Sequence, residues 1–578
     1  MASFMSDEKH PYLACFLKTS YQIQYKTIQP VPLKDYRYYS IEEVFVDSKI
    51  EIMGSRNNKD ENEHDTTWLS SYKDLFNTDV VNSNRIVIEG APGFGKTTLA
   101  LKIAHDWCSS QDSSPLQKEE ILLLLSLRNV LGSVSIFQAI KTQLLPPECT
   151  LSEEEVKSTL SKCRCLIIIL DNYEAYLGRD DKSTQVHKIL IGKMFANAKV
   201  ILLTQPDVLP SDLAPDTMLL RLGSFDANVR QRYLQQIASR EGADTEKYKR
   251  LSSLQDIFNQ NIILADMCQD PMICAMVVHL TKDNEFESTN TMSLTGLIRH
   301  IIDCLYRHVS KSSKSERKNP EDHTKLNELV FKELCEDKKE QLLFEKETLI
   351  QTTGESLIDE LIEVGILVQS DKPVDNSNEK GKTVLRFYHP IFAAWYASLY
   401  LAYWLSGRWN RWVSYYIQMA DPFRFELVYR FVCGINHESA DRIVTYLKSI
   451  TGGRQLETLC ILERTENLDQ LFNNITRVCR PLYKIRNRDA QLVRQSKIKF
   501  LQFASDAEIP ITCLRIMDNF QKVNKFGDKL VLQSGESIPP LTSLKSLEIW
   551  KVEKIMTEDD FMSVFKYSAR CPQLESIK

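Results

Sequence analysis

The chain has 578 residues, enough for several domains and more than one hydrophobic core. Lys and Arg number 72 against 77 Asp and Glu, a net charge of −5, and 43% of residues are hydrophobic. That balance excludes a disordered chain and a polyanion binder held by bulk charge, so no nucleic acid is indicated as a partner.

Residues 1–50 form a short N-terminal segment rich in Tyr and Pro, ending in Glu43–Ile50, which alternates as a strand does. Ser55–Thr67 is polar throughout and reads as a linker. From Arg85 to about Leu222 the pattern is α/β. Apolar runs at Ile86–Ile88, Ile121–Leu127, Leu166–Leu170 and Val200–Leu203 alternate with helical spacing at Thr97–Trp107 and Ile136–Leu145. Continuous apolar strands between helices predict a parallel sheet covered on both faces.

Beyond Phe225 the spacing predicts helices at Val229–Ile237, Ile262–Leu280 and Leu294–Val309, then a charged loop over Lys311–Lys325. Leu357–Val368 predicts a helix and a turn at Gly365, and Val384–Tyr388 predicts the second arm of a hairpin across the polar loop Asp371–Lys382. Helices are expected through about Phe503. Trp395, Tyr396, Tyr400, Tyr403 and Trp404 have helical spacing and read as core, as do His105 and Trp107. The basic run Arg480–Lys499 reads as the solvated face of a helix. Leu541, Leu544, Leu547 and Ile549 follow the spacing of a leucine-rich repeat, and Cys513–Ile516 opens an earlier one. Such an array needs about three repeats for stability, so a piece of a longer repeat protein is expected.

No run reaches the ~18 apolar residues of a membrane span, and the first ten residues carry no secretory signal. The 14 cysteines are scattered, many in apolar segments, as at Cys268 and Cys274. Cys163 and Cys165 are one residue too close for a CxxC pair. The expectation is reduced thiols in a cytoplasmic protein.

The chemistry is carried by Gly90-Ala91-Pro92-Gly93-Phe94-Gly95-Lys96-Thr97, which matches G-x-x-x-x-G-K-[ST] between a strand and a helix. Glycines let successive N–H groups converge on a phosphate, and the following helix adds its positive end. Lys96 is placed to bridge the β- and γ-phosphates and the Thr97 hydroxyl to hold Mg²⁺. A second acidic piece is expected at the end of a neighbouring strand, and Cys165–Asp171 supplies Asp171 as a further Mg²⁺ ligand. This is a nucleotide site with Mg²⁺.

The stretch Ile88–Ala100 and the strand ending at Asp171 resemble the NACHT branch of the signal-transducing NTPases, and in particular the NOD-like receptors. Leu222-Gly223-Ser224-Phe225 before a helix with Tyr233, Asp270-Pro271-Met272, Phe387-Tyr388-His389-Pro390-Ile391-Phe392 and Phe431-Val432-Cys433-Gly434 follow in the family's order. The resemblance implies a P-loop nucleotide-binding domain at 51–222 and a helical domain at 223–288. A winged-helix domain at 289–400, a second helical domain at 401–505 and the start of a leucine-rich-repeat solenoid at 506–578 would follow. It also implies that Thr98 joins the nucleotide-binding set, that Pro271 lies against the adenine, and that His389 reaches the β-phosphate. Beside these roles stand plainer ones: Pro271 as the first residue of a helix, and His389 as a satisfied core histidine.

Departures from the family pattern bear on catalysis. Where Asp-Gly-x-Asp-Glu is usual the chain reads Asp171-Asn172-Tyr173-Glu174-Ala175, so Glu174 is the remaining candidate for a catalytic acid. Thr204-Gln205-Pro206-Asp207 lacks the usual arginine, and Ala394 replaces a common Glu. Each lost group removes transition-state support, so hydrolysis is expected to be slow, below about one turnover per second. The segment before the core is too short for the effector domain usual in the family. The resulting expectation is a switch held closed by ADP. It would open and self-associate on exchange for ATP, respond to a ligand or protein on the repeats, and signal in innate immunity or cell death. A P-loop kinase or active NTPase with a helical lid is the second reading, and a scaffold with a degenerate site the third.

Overall fold

The protein is described from a computed structural model. It describes residues 9–31, 38–55, 67–109, 116, 120–130, 135–146, 148–206, 208–210, 212–241, 245–260, 262–282, 293–312, 323–336, 342–371, 383–407, 425–449, 454–463, 483–486, 497–498, 500–501, 505, 510–517, 530–532, 537–550 and 558–578.

Helix α1 (Lys9–Gln24), the short pair β1 (Thr27–Ile28) and β2 (Tyr39–Ser40), and one turn of helix, α2 (Ile41–Val44), lead into β3 (Ile50–Ser55) and β4 (Thr67–Leu69). The α/β stretch follows: β5 (Arg85–Glu89), α3 (Lys96–Cys108), β6 (Ile121–Ser126), α4 (Ile136–Leu144), α5 (Glu153–Lys162), β7 (Leu166–Asp171), α6 (Gln185–Leu190), β8 (Lys199–Thr204) and β9 (Met218–Leu222). The seven strands run in the order β4-β3-β9-β5-β8-β7-β6. Those from β9 to β6 are parallel, whereas β3 and β4 extend the sheet antiparallel at one edge. Every residue of β5 and β7 is buried, as helices on both faces require.

The alternation over Glu43–Ile50 does not make a strand. Ser40 and Glu43 form a capping box, with the Ser40 N–H donating to the Glu43 carboxylate at 3.0 Å, and Ile41 and Val44 fall on one buried helical face. The N-terminal segment also belongs to the sheet unit. Leu13, Leu17 and Tyr21 of α1 join its core, each burial contributing about 2 kcal/mol. The Tyr21 hydroxyl donates to Leu122 O at 3.2 Å and accepts from Leu124 N at 3.0 Å, closing the outer edge of β6.

Helices α7 (Ala227–Ala238), α8 (Glu246–Gln260), α9 (Ile262–Met267), α10 (Pro271–Lys282), α11 (Leu294–Ser312) and α12 (Thr324–Glu336) come next. The single helix expected over Ile262–Leu280 is two, because Pro271 has no N–H to continue a ladder and Asp270 caps the new start, accepting from Met272 N at 2.9 Å. Strand β10 (Leu343–Glu345), α13 (Lys346–Thr353), α14 (Glu355–Glu363), β11 (Leu367–Asp371), β12 (Thr383–Phe387) and α15 (Pro390–Ser406) complete a three-stranded antiparallel sheet, β10-β12-β11, with its helices. The paired strands β11 and β12 match expectation, and Gly365 at φ +77° makes the expected turn from α14 into β11; β10 is hidden in a charged context. Most of the Lys311–Lys325 loop lies outside the described residues, and α12 already begins at Thr324.

Trp395 and Tyr396 are buried, but Tyr403 is 71% exposed, so the aromatic spacing on α15 overstates its buried face. Helix Glu426–Ile435 packs so closely on α11 that a side chain at Gly434 would collide with Thr295. Behind it, Arg430 donates to Glu463 at 2.9 Å, and the other Glu463 oxygen accepts from Thr295 N and Oγ1, both at 2.9 Å. Strands Tyr483–Arg486, Cys513–Met517, Ser546–Ile549 and Ser576–Ile577 then pair in parallel, burying Leu541, Leu544 and Leu547 beneath them. Lys484 and Arg486 therefore lie on a strand, not on the helix expected for the basic run, most of which lies outside the described residues.

Candidate functional site

Strand β5 lies between β9 and β8, and its carboxyl end opens into Gly90–Lys96 at the sheet's edge. Gly90 N donates to Thr204 O at 3.0 Å, fixing the base of the loop to β8. Gly93 and Gly95 stand at φ +82° and +84°, conformations that side chains resist, and Gly95 caps α3. Lys96 is buried and its ammonium donates to Gly90 O at 2.5 Å and Ala91 O at 3.1 Å, within the loop.

Contrary to the sequence expectation, Asp171 does not end a strand next to β5: β8 lies between β5 and β7, and Thr97 reaches across that gap, its hydroxyl donating to Asp171 Oδ2 at 2.7 Å. Asn172, at φ +61°, takes the left-handed turn where the family motif has Gly, and its amide also donates to Asp171 Oδ2 at 2.7 Å. Burial pushes the Asp171 carboxyl up to about 6; the Thr97 hydrogen bond opposes this and nearby Glu174 adds to it. Asp171 Oδ1, Glu174 Oε2 and Gln205 Oε1 are buried acceptors without a partner among the described residues.

A cavity of ≈ 970 Å³ runs from Pro92–Thr98, Asp171 and Glu174 to Pro271, Arg386 and His389. Pro271 both starts α10 and lines the cavity. His389 stands just before α15 and lines the cavity. Its Nδ1 accepts from Ile391 N at 3.2 Å, capping α15, while its Nε2 lies 3.2 Å from Asp270 Oδ2 without a hydrogen bond. Asp270 itself covers the phosphate loop: a Cβ on Gly93 would stand 2.7 Å from both of its carboxylate oxygens. Gly223 is equally constrained, since a Cβ there would stand 2.7 Å from Lys49 O.

Arg128 and Arg386 were not singled out from the sequence. Arg128 follows β6 beside Asp171, with Ser126 and Asp171 in register, a position that strand pairing alone could have flagged. No local signal marks Arg386, on β12. Arg128 donates to Asn172 Oδ1 at 2.9 Å, and the Nε of each arginine is buried without a partner among the described residues. Burial lowers Arg386 to about 10, and the charge of Arg128 acts in the same direction.

The unpartnered groups fit a magnesium nucleotide. The acceptors Asp171 Oδ1 and Glu174 Oε2 suit a cation and its waters, whereas His389 Nε2 and the two arginine Nε atoms suit phosphate oxygens. A second cluster, Glu42, His105 and Asp106, could hold a metal by distance, but Asp106 already binds Tyr72 and, at 2.6 Å, Lys102. Among the described residues no helix is long and apolar enough to cross a membrane.

No curated protein matches the chain. The ORC2 protein of Aeropyrum pernix, solved with ADPNP and ADP, is 14% identical, covering 60% of this chain and 93% of its own at a TM-score of 0.28. A signal transduction ATPase with numerous domains from Pyrococcus horikoshii, with a tetratricopeptide repeat sensor, is 13% identical, covering 76% of this chain and 58% of its own at 0.27. The Drosophila ORC bound to DNA is 13% identical, covering 53% and 86% at 0.25. Residues 84–241 match the NACHT domain family, so the strand before the phosphate loop through the first helix after the sheet are a NACHT domain of P-loop NTPase α/β fold.

Proposed function

We propose that this protein is a nucleotide-dependent switch of the NOD-like receptor type, in which ATP or ADP with Mg²⁺ joins the sheet unit to the units after it. The observation that carries this reading is the cavity wall: Pro271 of α10 and His389 at the start of α15 line one cavity with the loop that ends in Lys96 and Thr97, and Asp270 stands over Gly93 of that loop. Gly90–Thr98 would cradle the phosphates, with Lys96 on the β- and γ-phosphates. Thr97 and Asp171 would hold the Mg²⁺, which lowers the charge of the phosphate chain when bound. Pro271 would lie against the adenine and His389 would reach the β-phosphate. Glu174 is the one acid left to orient a water, so hydrolysis would be slow.

In this reading β10–α15 contains a winged helix, and the parallel strands from Tyr483 onward begin a leucine-rich-repeat sensor. ADP holds the cytoplasmic protein closed. A ligand or partner on the repeats favours the open form, and exchange for ATP exposes surfaces for self-association in immune or cell-death signalling. A shift from 1:99 to 99:1 requires about 5.5 kcal/mol of differential binding.

The test is to denature the purified protein and identify what it releases. Retained ADP supports the switch, whereas an empty site with rapid phosphate release supports the active NTPase reading. Lys96→Ala should abolish nucleotide retention and nucleotide-dependent assembly; unchanged retention and assembly would favour a scaffold.

A further inference from the structure

We infer that Arg128 and Arg386 form a clamp for the terminal phosphate of a nucleoside triphosphate, replacing the arginine that is absent after β8. The inference rests on the nucleotide reading above and adds to it which phosphate is recognised, and by which residues.

Four observations carry it. The two guanidiniums come from different units, one just past β6 and one on β12, and both line the cavity that holds Lys96 and Asp171. They are close enough for the charge of Arg128 to disfavour that of Arg386. Bringing two cations together away from water is unfavourable unless an anion separates them. Neither forms an ion pair among the described residues, although both feel the negative charge of Glu174, and each buried Nε still lacks an acceptor.

The missing partner should therefore be anionic and rich in oxygen acceptors. A terminal phosphate fits, because a planar guanidinium can direct two N–H groups at one phosphoryl group. Position supports the same ligand. Arg128 lies near Asp171 and Glu174, on the side of the loop where Thr97 points, and Arg386 near Glu174, whereas Asp270 lies over Gly93 with His389 beside it. A diphosphate that fills the Gly93–Lys96 loop would leave the arginine side unneutralised, and a triphosphate would extend into it. Arg386 also makes this recognition a contact between units, since β12 and the phosphate loop are joined through no shared sheet.

The experiment measures binding of Mg²⁺-ADP and of a Mg²⁺-bound non-hydrolysable ATP analogue to the full chain by calorimetry. Arg386→Gln and, separately, Arg128→Gln should each weaken the triphosphate about ten- to hundredfold while changing ADP affinity less than about threefold. Arg386→Lys, which keeps charge but loses the planar fork, should recover part of the difference. Melting temperature of each empty variant should equal or exceed that of the parent, because a repelling cation has been removed. Equal losses for both nucleotides, or no loss for either, overturn the clamp while leaving the nucleotide site intact. Binding of neither nucleotide by the unmodified protein, with Lys96→Ala indistinguishable from it, overturns the nucleotide reading and the clamp together. Were Arg386→Gln to unfold, Arg128→Gln on the sheet unit still decides, since the clamp requires the same selective loss from either side.

Discussion

The two walls of the cavity are built by different means. The sheet-side wall is contiguous: Gly90–Thr98 is one loop held by backbone contacts, and Asp171 arrives at its place by strand register. The opposite wall gathers Pro271 from α10 and, much later in the chain, Arg386 and His389 from β12 and the start of α15, each held by how its own helix or strand packs. The first wall presents unpartnered acceptors on Asp171 and Glu174, with the buried Nε of Arg128 beside them, and the second presents the buried Nε of Arg386. A wall of the first kind tolerates change in its surroundings; a wall of the second kind depends on the packing behind it.

That difference can be broken from behind the second wall. Glu463→Ala leaves buried Arg430 with the half-exposed Glu426 as its one ion-pair partner among the described residues, and strips Thr295 of its acceptor. The expected cost is about 3–5 kcal/mol, read as a lowered denaturation midpoint. A change below ~1 kcal/mol would show that α11 and its neighbours do not depend on this network.

Contact between the walls is tested at Gly93. Gly93→Ala must adopt φ +82° and place a Cβ 2.7 Å from the Asp270 oxygens, at a cost of about 2–3 kcal/mol. Shortening Asp270 in the same chain should recover part of that loss while the backbone strain remains. Strictly additive effects in the double variant would mean the walls do not meet.

Asp171 sharpens the comparison through pH. Its folded value of about 6 lies above the ordinary 3.8, so stability held by the neutral carboxyl is present below 3.8 and lost as pH rises to about 6. Asp171→Asn escapes that loss and should stabilise the empty protein by about 1–2 kcal/mol at pH 7.5, with no gain at pH 3.5. The same variant should lose Mg²⁺-dependent nucleotide binding. A melting temperature lowered equally at both pH values would sink this account.

The smallest effect is expected at His389. Replacing it by Asn keeps an acceptor for Ile391 N and should alter stability by less than ~1 kcal/mol. Nucleotide retention should nevertheless fall; full retention would remove His389 from the ligand's side of the cavity.

Much of the first wall was legible beforehand. The four predicted strands of the sheet and the helix after the loop appear within two residues of their predicted bounds, because a fully buried strand needs an unbroken apolar run. Glu43–Ile50 misled because Val44, which fits the alternation, also completes a helical face with Ile41 three residues before it, and the cap at Ser40 decides for the helix. The helix spanning Asp270 and Pro271 misled because hydrophobic spacing continues across a break that only backbone hydrogen bonding enforces. Tyr403 misled because spacing says which side chains share a face, not whether anything covers it.

From residue order alone came the phosphate loop, its acidic partner at the end of a buried strand, and the absence of an arginine after β8. These follow from short-range rules: a glycine's freedom of φ, and a strand's need for apolar side chains on both faces. The meeting of Arg128 with Arg386, the carboxylate of Asp270 over Gly93, and the enclosure of α1 in the sheet's core were decided by tertiary structure. Each joins groups far apart along the chain, and their proximity is a property of packing that no local stretch encodes.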